Sequence, residues 1–201
     1  MKLIGNIGGF FYLATSIAAL GSYKKKIEAL KAAGKQEEER QVIEEVCRYW
    51  SDKVADYLDL EINLVNPQYL PEHGPVVYVS NHQSYADILV YLKAVKHQIG
   101  FIAKEELMNI PLFSKWILRI ESLFIKRGDA RASLATINQG ADMLRNGYSL
   151  VIFPEGTRSQ SDEMTEFKHG SLKLATKAKA LIVPVTIRGK GRKSILSYMS
   201  P

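Results

Sequence analysis

The sequence predicts an α/β fold with a mostly parallel central sheet flanked by helices, and three observations predict it. Beyond Pro67 and Pro71, short apolar runs rich in Val and Ile recur along the chain. Stretches with helical spacing separate those runs, and strands alternating with helices are the pattern of a parallel layer. Two helical segments with a different character precede this region, in residues 1–60.

The strand candidates are VVYVS (76–80), FIAK (101–104), SLFIKR (122–127), SLVIF (149–153) and LIVPVTI (181–187). Helices are expected between them, at about residues 85–97, 111–120, 130–146 and 170–179. In sheets of this kind the chemistry collects on loops at the C-terminal ends of strands. Those loops are therefore where functional residues are sought.

The first sixty residues divide into an apolar and an amphipathic segment. Leu3 to Leu20 carries no charge, and 12 of its 18 residues are apolar, interrupted by Gly5, Asn6, Gly8, Gly9, Thr15 and Ser16. As a helix it would be roughly 27 Å long, slightly short of a hydrocarbon core. A signal peptide, a spanning helix, a helix lying in one leaflet and a buried core helix all fit such a run. Lys24, Lys25 and Lys26 follow it directly. They favour a membrane anchor whose following chain stays cytoplasmic and meets anionic headgroups. From Glu37 to Leu60 the stripe Ile43, Val46, Cys47, Trp50, Val54, Tyr57 and Leu58 predicts a second, amphipathic helix. The Gly34 region would be the turn between the two. The expected organisation is a two-helix membrane-associating element in residues 1–60 and an α/β domain in 61–201.

Charge and composition narrow the partners. Residues 1–103 carry a net charge of −1 and residues 104–201 a net charge of +7. A basic C-terminal half suits an anionic partner, such as phosphate groups or lipid headgroups, and a solubilising excess is the plain alternative. No nucleic-acid recognition module is apparent. A single cysteine, Cys47, rules out an intramolecular disulfide and reads as packing. The four histidines lack the paired spacing of a zinc site, so no metal is expected.

The strand ends carry unusual residues. VVYVS runs into NHQSYAD, which sets His82 and Asp87 five residues apart. In a regular helix that spacing rotates the two side chains by about 140°. They can meet only where the chain turns from strand to helix. Ser84 suits a helix N-cap with Asp87 as its capping-box partner, which is the structural alternative for Asp87. A His–Asp contact would instead fix the imidazole for work as a general base. In FPEGTRS (153–159), Gly156 and Thr157 offer a flexible turn with exposed N–H groups, and Arg158 offers a planar fork suited to phosphate. Glu155, beside Pro154, suits an acceptor that holds the loop or an arginine. Lys104, Lys126 and Arg127 end neighbouring strands and could converge on one crevice, with solvated strand-end charge as the alternative. No Gly-x-Ser-x-Gly elbow is present.

Taken in order, these stretches resemble the glycerolipid acyltransferases, specifically the 1-acyl-sn-glycerol-3-phosphate acyltransferases. His82-x4-Asp87 resembles the first motif, and FIAKEELMNIPLFSKW (101–116) the stretch after it. Phe124-Ile125-Lys126-Arg127 resembles the second motif, FPEGTRS the third, FKHGSLKLA (167–175) the segment after it, and VPVTI (183–187) the fourth. The resemblance spans about residues 60–190. Where relatives often have Gly before the Phe of the second motif, this chain has Glu121 and Ser122.

The resemblance implies transfer of an acyl group from acyl-CoA or acyl-carrier protein to lysophosphatidic acid at a phospholipid membrane, with glycerol-3-phosphate or another lysophospholipid as the alternative acceptor and non-catalytic binding of anionic lipid as the rival reading. It implies no cofactor beyond that co-substrate. His82 and Asp87 would be catalytic. Lys104, Lys126, Arg127, Glu155, Gly156, Thr157 and Arg158 would bind substrate. The chain would act at the cytoplasmic face of the cell membrane without crossing it.

Overall fold

The computed structural model describes residues 7–159, 165–168, 170–190 and 193–198. Helices α1 (Ile7–Ala18), α2 (Gly21–Ala32) and α3 (Gln36–Tyr57) come first. The expected second helix is α3, beginning and ending close to the bounds its stripe suggested. Helix α2 was not anticipated, because its lysines mask a narrow apolar row of Tyr23, Ile27 and Leu30. Gly34, at φ 69°, ends α2 in the left-handed conformation that glycine takes without strain. There Lys35 N–H donates to Leu30 O at 3.0 Å and Gly34 N–H to Lys31 O at 3.1 Å.

Helices α2 and α3 bury Leu20, Ile27, Val42, Ile43 and Val46 against one another, with Trp116 and Ile120 from further along the chain packed on the cluster. Cys47 and Trp50 of α3 also pack on the core of the sheet. The N-terminal helices are thus continuous in packing with the α/β layer. Helix α1 is held by a Tyr12–Tyr57 ring stack at 3.5 Å and by Trp50 Nε1–H donating to Ser16 Oγ at 3.0 Å. Among the described residues no helix is long and apolar enough to cross a membrane. Residues 3–6 of the apolar run lie outside the described residues.

Seven strands follow: β1 (Glu61–Val65), β2 (Val76–Ser80), β3 (Ile99–Lys104), β4 (Leu123–Ile125), β5 (Ser149–Ile152), β6 (Leu181–Lys190) and β7 (Lys193–Tyr198). Helices α4 (Ala86–Ala94), α5 (Pro111–Arg119), α6 (Ala130–Arg145) and α7 (Lys173–Ala178) lie between them. The strands form one sheet in the order β1-β7-β6-β2-β5-β3-β4. Strands β2 to β6 share one direction; β7 turns back antiparallel on β6, and β1 runs parallel to β7. The mostly parallel sheet flanked by helices is as the alternation predicted, and β1 and β7 are the strands it missed.

Alternation along β2 divides the core into two layers. Val76 and Tyr78 face α4, with Val90, Tyr91 and Leu92 around them. Val77 faces α6 and α7, with Leu144, Leu150, Leu174 and Ala175. Helix α4 therefore covers one face after β2, while α7 covers the other after β5. Strands β2 and β5 are hydrogen-bonded neighbours. Adjacent strands whose chains depart to opposite faces leave a crevice at their C-terminal ends. Gly100 lets β3 approach the turn before β4, because a Cβ there would lie 2.1 Å from Glu121 O.

Candidate active site

The crevice is filled by the two loops that leave β2 and β5. After Ser80 the chain turns sharply into α4, and the turn brings His82 and Asp87 together, with Nδ1 2.7 Å from Asp87 Oδ2. The same oxygen accepts from Gln83 N–H at 2.7 Å and Ser84 N–H at 2.9 Å. Ser84 Oγ in turn accepts from Ala86 N–H at 3.2 Å. The capping-box role and the imidazole-holding role are thus one structure. The carboxylate that closes the turn into α4 also grips the ring.

A carboxylate accepts, so this pairing puts the hydrogen on Nδ1 and leaves a lone pair on Nε2. The His82 ring lies on Phe153, with centroids 4.1 Å apart and planes 19° from parallel. Phe153 follows β5 directly and meets Tyr91 edge-on from below. With Asp87 on one side and Phe153 beneath, the ring has a single well-defined pose. Its side chain remains 17% exposed.

The β5 loop is tied to the β2 loop at two points. Glu155 is 0% exposed. Its Oε1 accepts from His82 N–H at 3.2 Å, and its Oε2 accepts from Thr165 N–H at 2.9 Å and Thr165 Oγ1–H at 2.8 Å. Ser159 N–H donates to His82 O at 2.7 Å. Of the two roles expected of Glu155, holding the loop is borne out and touching substrate is not. The carboxylate lies beneath the surface as a brace, because its oxygens are spent on three internal donors. Gly156 is corrected in the same way: its N–H donates to Phe153 O at 2.9 Å and is not exposed for a ligand. Its φ of 69° suits glycine, and the Lys168 stem passes close to where a side chain would be.

Thr157 and Arg158 are exposed at the loop's tip. The Arg158 guanidinium lies over the ring of Tyr85 at 4.0 Å, a contact that sequence reasoning missed because a stack between distant loops leaves no local signature. The remaining basic residues stand further along the sheet. Lys104 ends β3 and bonds to Glu106 at 2.7 Å. Lys126 follows β4 and lies 4.0 Å from Asp129, and Arg127 is exposed beside it. All three share the C-terminal edge with His82, on strands beyond β5. Lys104 holds the Glu106 carboxyl below the usual carboxylate range, and Arg127 assists. His169 and residues 160–164 lie outside the described residues. Among the described residues no cluster of His, Cys, Asp and Glu is placed to hold a metal ion.

Glu121, one of the two residues that stand before Phe124 in the second-motif stretch, sits at φ 57°, in the region that favours glycine. Next to it, Ser122 Oγ accepts from Phe101 N–H at 2.8 Å, which anchors the start of β4 to β3.

Comparison with known proteins agrees with this architecture. A family model described as Acyltransferase matches residues 61–188. A protein of Mycoplasma pneumoniae named probable 1-acyl-sn-glycerol-3-phosphate acyltransferase is 40% identical over 135 residues, 65% of this chain and 50% of that protein. The chloroplastic 1-acyl-sn-glycerol-3-phosphate acyltransferase LPAT1 of Arabidopsis thaliana is 33% identical over 149 residues, 73% of this chain and 41% of that protein. The chain thus spans about half the length of the curated relatives it matches. The crystal structure of PlsC, the 1-acyl-sn-glycerophosphate acyltransferase of Thermotoga maritima, superposes with a TM-score of 0.75 at 26% identity, covering 100% of this chain and 86% of that one. With a matching sheet, a His–Asp pair at its switch point and a family model across most of its length, the chain belongs to the acyltransferase family.

Proposed function

We propose that this chain transfers a fatty acyl group from an acyl thioester to the free hydroxyl of 1-acyl-glycerol-3-phosphate, giving phosphatidic acid. The observation that carries the reading is the His82–Asp87 pair, 2.7 Å apart and braced by Glu155, in a loop that also touches the Arg158 loop. Binding alone has no need of an imidazole fixed with one nitrogen free.

In the proposed reaction His82 Nε2 takes the hydroxyl proton as the acceptor oxygen attacks the thioester carbonyl. Asp87 stabilises the imidazolium that forms. Collapse of the tetrahedral intermediate breaks the C–S bond, and the departing thiolate takes the proton back from His82. No covalent acyl-enzyme is invoked. Hydrogen-bond donors aimed at the oxyanion would contribute about 3–4 kcal/mol each. Arg158 would hold the acceptor phosphate by its in-plane N–H groups. The donor would be acyl-CoA or acyl-carrier protein, and neither calls for a further cofactor.

The N-terminal helices would dock the enzyme on the cytoplasmic leaflet without crossing it. Helix α1 exposes Phe11 to 68%, and Lys24, Lys25 and Lys26 are exposed on α2. Each lysine would contribute about 1 kcal/mol toward an anionic surface.

One assay tests the whole reading. Detergent-solubilised protein is incubated with labelled acyl-CoA or acyl-carrier protein and with lysophosphatidic acid, glycerol-3-phosphate or lysophosphatidylcholine. The expected product is labelled phosphatidic acid from lysophosphatidic acid. Preferred acylation of glycerol-3-phosphate would move the acceptor, and no transfer to any of them would end the proposal. In a vesicle arm, Phe11→Asp should lower flotation with anionic liposomes, and unchanged flotation would count against docking through α1.

A further inference from the structure

Tyr85 stands in the first motif without a role in the chemistry described so far, yet its ring carries the Arg158 guanidinium at 4.0 Å. We infer that Tyr85 is a positioning residue for the acceptor phosphate, holding Arg158 at a set distance from His82. The inference deepens the acyl-transfer reading and takes the identity of the acceptor from it.

A guanidinium has a face and an edge. Stacking on an aromatic ring uses the face, where the cation meets the ring's negative quadrupole, and leaves the in-plane N–H fork for an anion. Lys104 and Lys126 have carboxylates as neighbours at 2.7 and 4.0 Å. Among the described residues Arg158 pairs with none. Among the described residues its head is therefore ordered by the stack, with no partner on its hydrogen-bonding edge.

The platform itself is fixed by the same bonds that aim the base. Tyr85 lies between Ser84, whose N–H reaches Asp87 Oδ2, and Ala86, whose N–H reaches Ser84 Oγ. Tyr85 O accepts from Ile88 N–H at 3.3 Å. On the other loop, Glu155 and Ser159 are each bonded to the His82 backbone, on either side of Arg158. The base and the anion receptor thus belong to one cross-braced unit. An arginine already ordered loses less freedom when phosphate arrives. A fixed spacing between phosphate and Nε2 also selects which hydroxyl of the glycerol reaches the base.

The ring is 49% exposed and takes no part in the buried clusters, so its removal should leave the fold intact. The experiment uses the full chain in detergent micelles. It combines steady-state kinetics with equilibrium binding of lysophosphatidic acid measured without thioester. Tyr85→Ala should raise the acceptor KM and Kd about three- to tenfold while kcat and the donor KM stay within about twofold. Tyr85→Phe should recover most of the loss, because the stack needs the ring and not the hydroxyl. In an Arg158→Ala background, Tyr85→Ala should add nothing. An equal effect in that background, failure of Phe to rescue, or a fall in kcat with KM unmoved would overturn the inference. If wild-type protein binds lysophosphatidic acid but does not turn over, the acyl-transfer reading fails while the binding arm still decides the role of Tyr85. If it does not bind lysophosphatidic acid at all, both fall.

Discussion

Two histidines stand at opposite ends of the sheet, and their surroundings differ in one decisive respect. His82 follows the C-terminal end of β2, stacks on Phe153 and is gripped at Nδ1 by a carboxylate. His97 precedes β3, lies within 6.0 Å of the Tyr78 ring and has Nε2 3.0 Å from Ser149 Oγ, the hydroxyl that also accepts from Val76 N–H. Both rings are stacked and hydrogen-bonded. At His97, however, the partner is a hydroxyl at the start of β5 that serves the ladder, and burial pushes the imidazole pKa down, with His73 assisting. At His82 the partner is an acceptor-only group, and the second nitrogen is left for a substrate. Beside His97, Cys47 and Glu44 line the same small cavity of about 10 Å³. Burial raises the Cys47 thiol to about 12 and also raises the Glu44 carboxyl. Reactive residue types collected at the wrong end of a parallel sheet become packing.

The largest expected effect separates the two histidines directly. His82→Ala should lower kcat at least a hundredfold, while the thermal midpoint and circular dichroism stay near wild type. Retention of more than about a tenth of the wild-type rate would remove His82 from the role of base.

Glu155 should lose both properties at once. Replacement by Ala empties a fully buried position and removes the acceptor shared by the His82 and Thr165 donors, which costs about 2–5 kcal/mol of stability in denaturant titration. It should also lower turnover, because the His82 backbone is released. Glu155→Gln keeps the shape and part of the acceptor capacity, so its loss should be smaller. Activity lost without any loss of stability in Glu155→Ala would instead place that carboxylate in the chemistry.

The smallest effect concerns pH. Unfolded, His97 takes up a proton near its ordinary value of 6.5; folded, burial delays that uptake to lower pH. The unfolded chain therefore binds more protons in that window, and stability falls as pH drops through it. Glu44 acts with the opposite sign, its raised value removing stability as pH rises above the ordinary carboxylate range. Thermal midpoints measured from about pH 5 to 7 should thus drop on the acid side of 6.5. His97→Gln should flatten that drop, and an unchanged slope would show that other groups set it.

Much of the architecture was legible because burial imposes period and composition together. Strands β2 and β5 are apolar runs covered on both faces, and such runs announce themselves; β6 shows itself by Val183, Val185 and Ile187 buried at every second position. Strand β1, EINLV, is exposed along most of its length, and β7, KSILSY, holds only Ile195 and Leu196 as aliphatic residues, so neither carried that signal. Helix α2 was hidden by its lysines. Within the site, His82 and Asp87 could be paired by reasoning about a strand-to-helix turn, because one turn links them. Glu155, Tyr85 and Ser159 could not, since their partners arrive from another loop through the topology of the sheet. Glu121 records a different limit: its left-handed backbone becomes visible only in the fold, where its carbonyl stands against Gly100.

The hydrogen bond from Ser159 N–H to His82 O runs from main chain to main chain. Apart from proline at 159, which has no N–H, no substitution of either side chain deletes it, so other variation at positions 82 and 159 leaves the seam between the loops in place. Insertions and deletions act differently. Adding a residue to either loop shifts the donor past its acceptor and parts the base from the anion receptor. Libraries that diversify acceptor choice should therefore hold both loop lengths constant and vary residues at the tip, such as Thr157, where the chain faces solvent.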